Sequence, residues 1–332
     1  MDSTNEAANY IKGFCITLIT WHHLIYDNFP GHFSYLGNEF VAFYFIVSGY
    51  GIFYSLEEKL HGRRLHGILR FYGKRFIRLY PMYWIWFAFG YYPKSGRSAV
   101  LDFFLLSLDH PPVWFLNAIV YCYLLSPVFF LVARRLKLWS LAVFTVALLL
   151  INVAGHDWQL PFRLAYVYRD IYFFYLFFFA SGMVFPWLLA RNFPTGRLGL
   201  YVAPLLLVFI FCAVQVTHHP LVSLFPPEVS VWNFKLNYYC VPFYLSAMSL
   251  TFVILKGLPR LPLQKALIIV GQYSLPIYLV NDYLGYLVVR LLGKGYPDLV
   301  YFLVFAGLFP LLVLGCALAQ KIVYLPFKLA SN

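Results

Sequence analysis

Charged residues are what this 332-residue chain has least of: Asp, Glu, Lys and Arg make up 11% of it, against roughly 25% in an average soluble domain. So little polar surface cannot keep a globule in water, which excludes a soluble fold. Disorder is excluded as well, since disordered chains are rich in charge and poor in aromatics. Cysteine is sparse. The five, at positions 15, 122, 212, 240 and 316, all fall in apolar runs, with neither a CxxC pair nor metal-ligand spacing. An odd number so placed defines no disulfide framework and no metal centre. Long polar stretches are missing too, the longest being the basic cytoplasmic loop 57–78, and no internal repeat is evident. No soluble extension is therefore expected. The first apolar run lacks a basic leader and a small-residue cleavage site, so it is expected to be a retained helix.

What is abundant is apolar and aromatic. Ala, Val, Ile, Leu, Met, Phe, Trp, Tyr and Cys make up 62% of the residues, with 35 Phe and 28 Tyr. Ten charge-free runs succeed one another: 13–26, 40–56, 79–93, 110–133, 138–156, 171–190, 198–227, 236–255, 266–281 and 299–320. A membrane-crossing helix needs about 20 apolar residues. Most runs suffice; the first, third and ninth borrow flanking residues, the ninth reaching past Asp282 to Val289. Continuous rather than alternating hydrophobicity disfavours a barrel. The expected fold is an all-α integral membrane protein, a bundle of about ten transmembrane helices forming a single polytopic domain over residues 1–332.

Basic residues set the orientation. With the N-terminus in the cytoplasm, 18 of the 25 Lys and Arg fall on the inner side. The outer side keeps seven, Lys94, Arg97, Arg163, Arg169, Lys235, Arg290 and Lys294. Both termini are accordingly read as cytoplasmic. The net charge of +12 then reports loops facing anionic lipid, with no nucleic-acid partner implied.

Polar groups within spans are costly, and they mark candidate sites. In KGFCITLITWHH (12–23), Lys12 and His23 are eleven residues apart, about three turns, so they share a helix face with about 16 Å between them. Lys12 falls at the cytoplasmic edge and His23 near mid-membrane, while His22 turns roughly 100° away. A desolvated neutral imidazole is a natural general base. Asp27, one turn on, is placed to orient that ring. The plainer alternative makes His22 and His23 interfacial and Asp27 a solvated surface residue. FYGKRFIRLYPMYW (71–84) sets Arg75 and Arg78 three apart, a pair of planar cations suited to a phosphate ester or pyrophosphate. A snorkelling lipid anchor is the alternative, against which stands the density of seven basic residues between Lys59 and Arg78. In FYFIVSGYGIFY (43–54), Ser48, Gly49 and Gly51 permit close helix packing or access to backbone. Trp114 and Asn117 stand at the outer mouth of a span, as belt residues or as a sugar-stacking platform.

These segments, in this order, resemble acyltransferase family 3, integral-membrane enzymes that mostly O-acetylate cell-envelope glycans. The resemblance runs over about residues 10 to 320. Lys12 and His23 have the spacing of the family's first-span basic residue and histidine, with Lys in place of the usual Arg. FYFIVSGYGI is similar to its second-span signature, KRFIRLYPMYW to its Arg-x-x-Arg element, and PVWFLNAIVYCYLLSPV to its WFL segment. GQYSLPIYLVN (271–281) resembles a late motif that normally ends in histidine, so Asn281 is a departure.

The resemblance implies transfer of an acyl group, most simply acetyl, from cytoplasmic acyl-CoA to a hydroxyl of a cell-surface or lipid-linked sugar. Acyl-CoA is the donor substrate, with no permanently bound cofactor and no metal; the bilayer is the remaining partner. Lys12, Lys74, Arg75 and Arg78 would hold the CoA phosphates, and His23, oriented by Asp27, would deprotonate the acceptor. Ser48, Tyr50, Trp114, Asn117 and Asn281 would support the reacting groups or the acceptor, and a covalent acyl-His23 intermediate is a variant of the route. The implied location is the plasma (inner) membrane of a bacterium. The rival from another class is a transporter or flippase for a glycolipid or anion, for which repeated halves or paired discontinuous spans are expected.

Overall fold

The computed structural model describes residues 3–26, 40–60, 64–90, 99–106, 114–147, 168–191, 204–212, 228–231, 234–237, 240–257, 263–293 and 298–329. Thirteen helical stretches stand among them. They are α1 (Ser3–Tyr26), α2 (Val41–Leu60), α3 (Arg64–Gly90), α4 (Ala99–Phe103), α5 (Trp114–Leu136) and α6 (139–147). Then follow α7 (Tyr168–Gly182), α8 (Phe185–Leu189), α9 (204–212), α10 (Cys240–Lys256), α11 (Gln264–Gln272), α12 (Ser274–Leu292) and α13 (Asp298–Leu329). Between α9 and α10 lies a short antiparallel hairpin, β1 (Glu228–Val231) with β2 (Phe234–Asn237), pairing Glu228 with Asn237 and Val231 with Phe234. Apolar runs become helices because lipid offers no partner for backbone N–H and C=O groups, and a helix satisfies them internally.

Among the described residues, Trp114–Leu136 and Leu299–Phe327 are long and apolar enough to cross a membrane. A third span is formed if the two arms of α12, Ser274–Asn281 and Tyr283–Leu292, are taken together across a 50° bend. The basic segment 57–78, read from sequence as a loop, is mostly helix: α2 runs on to Leu60 and α3 begins at Arg64. No proline interrupts 64–80, and Pro81 is accommodated within α3. The ninth apolar run is divided. Pro276 has no N–H to offer the carbonyl of Gln272, and the chain breaks at Tyr273 between α11 and α12.

The described residues pack as two compact units. The first comprises Met1–Val41, Lys74–Tyr91 and Arg260–Asn332; the second, Ala42–Gly73 and Tyr92–Pro259. In the first, α1 lies against α11 and α12, and α12 against α13. The α1–α11 crossing is a contact of bare backbones. A Cβ on Gly13 would stand 1.8 Å from the Leu267 carbonyl oxygen, and one on Gly271 1.9 Å from that of Asn9. Direction follows from aromatic contacts at the far end. The Trp21 ring meets Phe302 and Phe305 of α13, with centroids 5.6 and 5.4 Å apart. Tyr301, beside Phe302, donates to the carbonyl of Gly293, which closes α12. The C-terminal ends of α1 and α12 thus lie on the same side, and α1 runs in the same direction as α12.

In the second unit, α2 crosses α7 by the same device. A Cβ on Gly49 would fall 1.9 Å from the Phe179 carbonyl oxygen, and one on Gly182 2.0 Å from that of Ile46. Around this crossing Phe45 stacks on Tyr175 (5.1 Å), and Phe178 meets Phe243 and Tyr244. The hydroxyls of Ser181 and Tyr244 are hydrogen-bonded to each other. Lys256 closes the end of α8, its Nζ donating to the carbonyls of Leu189 (2.7 Å) and Arg191 (3.0 Å).

Candidate active site

The first unit holds most of the chemistry-bearing groups. Its α1 is unbroken from Ser3 to Tyr26, so Lys12 and His23 share one helix face, about 16 Å apart along the axis. Lys12 is half-buried, and the charges of Arg78 and Arg75 on α3 act on it. Arg75 is half-buried, whereas Arg78 and Lys74 are exposed. The Tyr324 hydroxyl near the end of α13 donates to the Arg78 carbonyl, tying that helix to the same stretch. Three cations drawn together repel one another, and a bound polyanion relieves that repulsion. Spacing pairs Arg75 with Arg78, the family resemblance adds Lys12, and all three belong to the same unit.

At the other end of the Lys12 face stand the histidines. His23 is half-buried, and His22 is buried at 4% exposure. Their rings meet edge to face, with centroids 5.5 Å apart. His22 is thus the residue the sequence reading passed over. Helical spacing gave its angle from His23 but could not say that neighbours close over that side. Asn281, in α12, is also buried, at 3% exposure, and its Nδ2 has no hydrogen-bond partner among the described residues. Asp27 lies outside the described residues.

The remaining sequence-derived candidates belong to the second unit. Ser48 is half-buried and Tyr50 buried, its ring edge-on to Tyr54 at 5.3 Å. Between them Gly49 is taken up by the α2–α7 crossing, so packing accounts for the small residue there. Trp114 is half-buried among aromatics, 5.8 Å from the Tyr175 ring and 6.2 Å from Phe115. Asn117 is 1% exposed. The structure therefore gathers Lys12, Lys74, Arg75, Arg78, His23 and Asn281 into one unit and assigns Ser48, Tyr50, Trp114 and Asn117 to the other.

The described residues are predominantly helical with candidate membrane-crossing segments, and one unit carries a group of cations and a histidine pair of which His22 is buried. The acyltransferase domain of acyltransferase family 3 matches residues 5–321, essentially the whole chain, and the protein belongs to that family. It is an acyltransferase, with an acyl donor and a hydroxyl acceptor. No curated protein and no solved structure matches the chain.

Proposed function

We propose that the protein moves an acetyl or similar acyl group from cytoplasmic acyl-CoA to a hydroxyl of a cell-surface or lipid-linked sugar. Its setting is a bacterial inner membrane, crossed by about ten helices with both termini inside. The observation that supports this reading is that Lys12, on which the charges of Arg75 and Arg78 of α3 act, stands on the same helix as His23, three turns before it. A donor with phosphates at one end and a thioester on a long arm fits such a polarity. Arg75 and Arg78, with Lys12 and Lys74, hold the phosphates, and the pantetheine arm runs along α1 toward His23. His23 takes the acceptor proton as the hydroxyl oxygen attacks the thioester carbon. Collapse of the tetrahedral adduct breaks the C–S bond, and the departing CoA thiolate takes the proton back. Asp27 is the residue proposed to orient the imidazole.

General-base catalysis contributes about 10²–10⁴-fold, so His23→Ala is expected to lower transfer from radiolabelled acetyl-CoA by at least that range. CoA release and label on a glycan are the measurements. Turnover preserved in His23→Ala but lost in His22→Ala would move the base to the more buried neighbour. Turnover preserved in both would remove the histidine pair from the chemistry.

A further inference from the structure

Asn281 is a buried amide whose Nδ2 has no acceptor among the described residues. A buried donor left so is destabilising to a fold, and it commonly marks a group reserved for a ligand. Its position is informative. Gly13 and Gly271 touch backbone to backbone, and α1 and α12 run the same way from that contact. His23 lies ten residues beyond Gly13, and Asn281 ten residues beyond Gly271. His23 thus stands about 15 Å from that crossing along unbroken α1, and Asn281 lies on α12, the helix packed against α1 in the same unit. Immediately after Asn281, α12 bends by 50°.

We infer that the Asn281 side chain donates a hydrogen bond from Nδ2 to the carbonyl oxygen of the reacting acyl group, an inference that rests on the acyl-transfer reading above. As the acceptor oxygen bonds to the thioester carbon and His23 takes its proton, the carbonyl π pair moves onto that oxygen. The amide N–H meets the developing charge. When the pair returns, the C–S bond breaks and the thiolate leaves with the proton from His23. An amide donor held in a water-poor site is suited to this task because it needs no reorganisation as the charge forms.

The test uses the purified full-length chain with acetyl-CoA, following release of the CoA thiol with water and with a membrane glycan extract as acceptors. Wild type is compared with Asn281→Leu, Asn281→Asp and His23→Ala. Loss of one such donor is expected to lower kcat about 10²–10³-fold, with acetyl-CoA binding nearly unchanged and with both acceptors affected alike. Asn281→Leu removes an unpartnered buried amide, so its Tm is expected to hold or rise while kcat falls; a merely structural asparagine would lose both together. As a second measurement, carbonyl-¹³C acetyl-CoA bound to His23→Ala protein is expected to show a lowered carbonyl stretch, restored to the solution value when Asn281→Leu is added. A kcat within about threefold of wild type in Asn281→Leu, with His23→Ala inactive, would overturn the role of Asn281 and leave the acyl-transfer reading intact. So would a loss confined to the acceptor KM. Absence of CoA release by the wild type with either acceptor would instead remove the reading on which the inference rests, and the inference with it.

Discussion

At the scale of single residues, the two arginines differ in what surrounds them. Arg75 is half-buried and Arg78 exposed, yet both act on Lys12. A hydrogen bond to a charged group contributes about 1.5–3 kcal/mol, so Arg75→Ala and Arg78→Ala are each expected to weaken CoA binding by about 10- to 100-fold. Lysine at either position keeps the charge and loses the planar fork, and recovery should be partial. Equilibrium binding of CoA to each variant is the measurement; affinity unaltered in both alanine variants would sink the phosphate-clamp role. The spacings that single out Lys12, His23, Arg75 and Arg78 were legible in the sequence, because each is a local pattern on one helix. The grouping of Lys12 with the arginines was not legible in spacing and came only with the family resemblance, since it joins α1 to α3. Nor was the burial of His22, which depends on what covers it.

At the scale of elements, small residues carry the helix crossings. Adding a methyl group at Gly13, Gly271, Gly49 or Gly182 puts a carbon within 2.0 Å of a backbone oxygen on the facing helix. No side-chain rotation relieves such a clash, so the helices must part. Overpacking costs about 1–3 kcal/mol and sometimes more; Gly271→Ala and Gly49→Ala are expected to lower the Tm in detergent by several degrees or to abolish folding. Gly51, a near neighbour of Gly49, has open space around its Cβ position. Gly51→Ala should be neutral or stabilising, since alanine is the better helix former by about 1 kcal/mol. An equal loss in Gly51→Ala and Gly49→Ala would contradict the assignment. The sequence made the glycines of SGYG stand out without telling them apart, because helix propensity treats every glycine alike and only the facing backbone distinguishes them. It also read 57–78 as a loop. An exposed basic helix satisfies the same charge pattern as a loop, and α3 takes that form from Arg64 on.

At the scale of the whole molecule, the helical class was written in composition, since hydrophobic runs without charge admit few other folds. The division into two units was not, because each unit draws on distant parts of the chain and α3 passes from one to the other. Orientation remains open to a direct test. Cys15, Cys122, Cys212 and Cys316 are buried, which keeps background labelling low. A cysteine introduced at Ser3 or at Ser331 is expected to react with an impermeant maleimide only after cells are permeabilised. Labelling of either in intact cells would reverse the topology. The backbone contact of Gly13 with Gly271 carries a further consequence. With no side chain between the helices, their register cannot slip, and α1 becomes a gauge whose length is fixed by helical rise. A donor is then measured by the length of its arm as well as by its charge. S-acetylcysteamine, which keeps the thioester but neither the arm nor the phosphates, should fail to support transfer even at high concentration, and CoA added in trans should not rescue it.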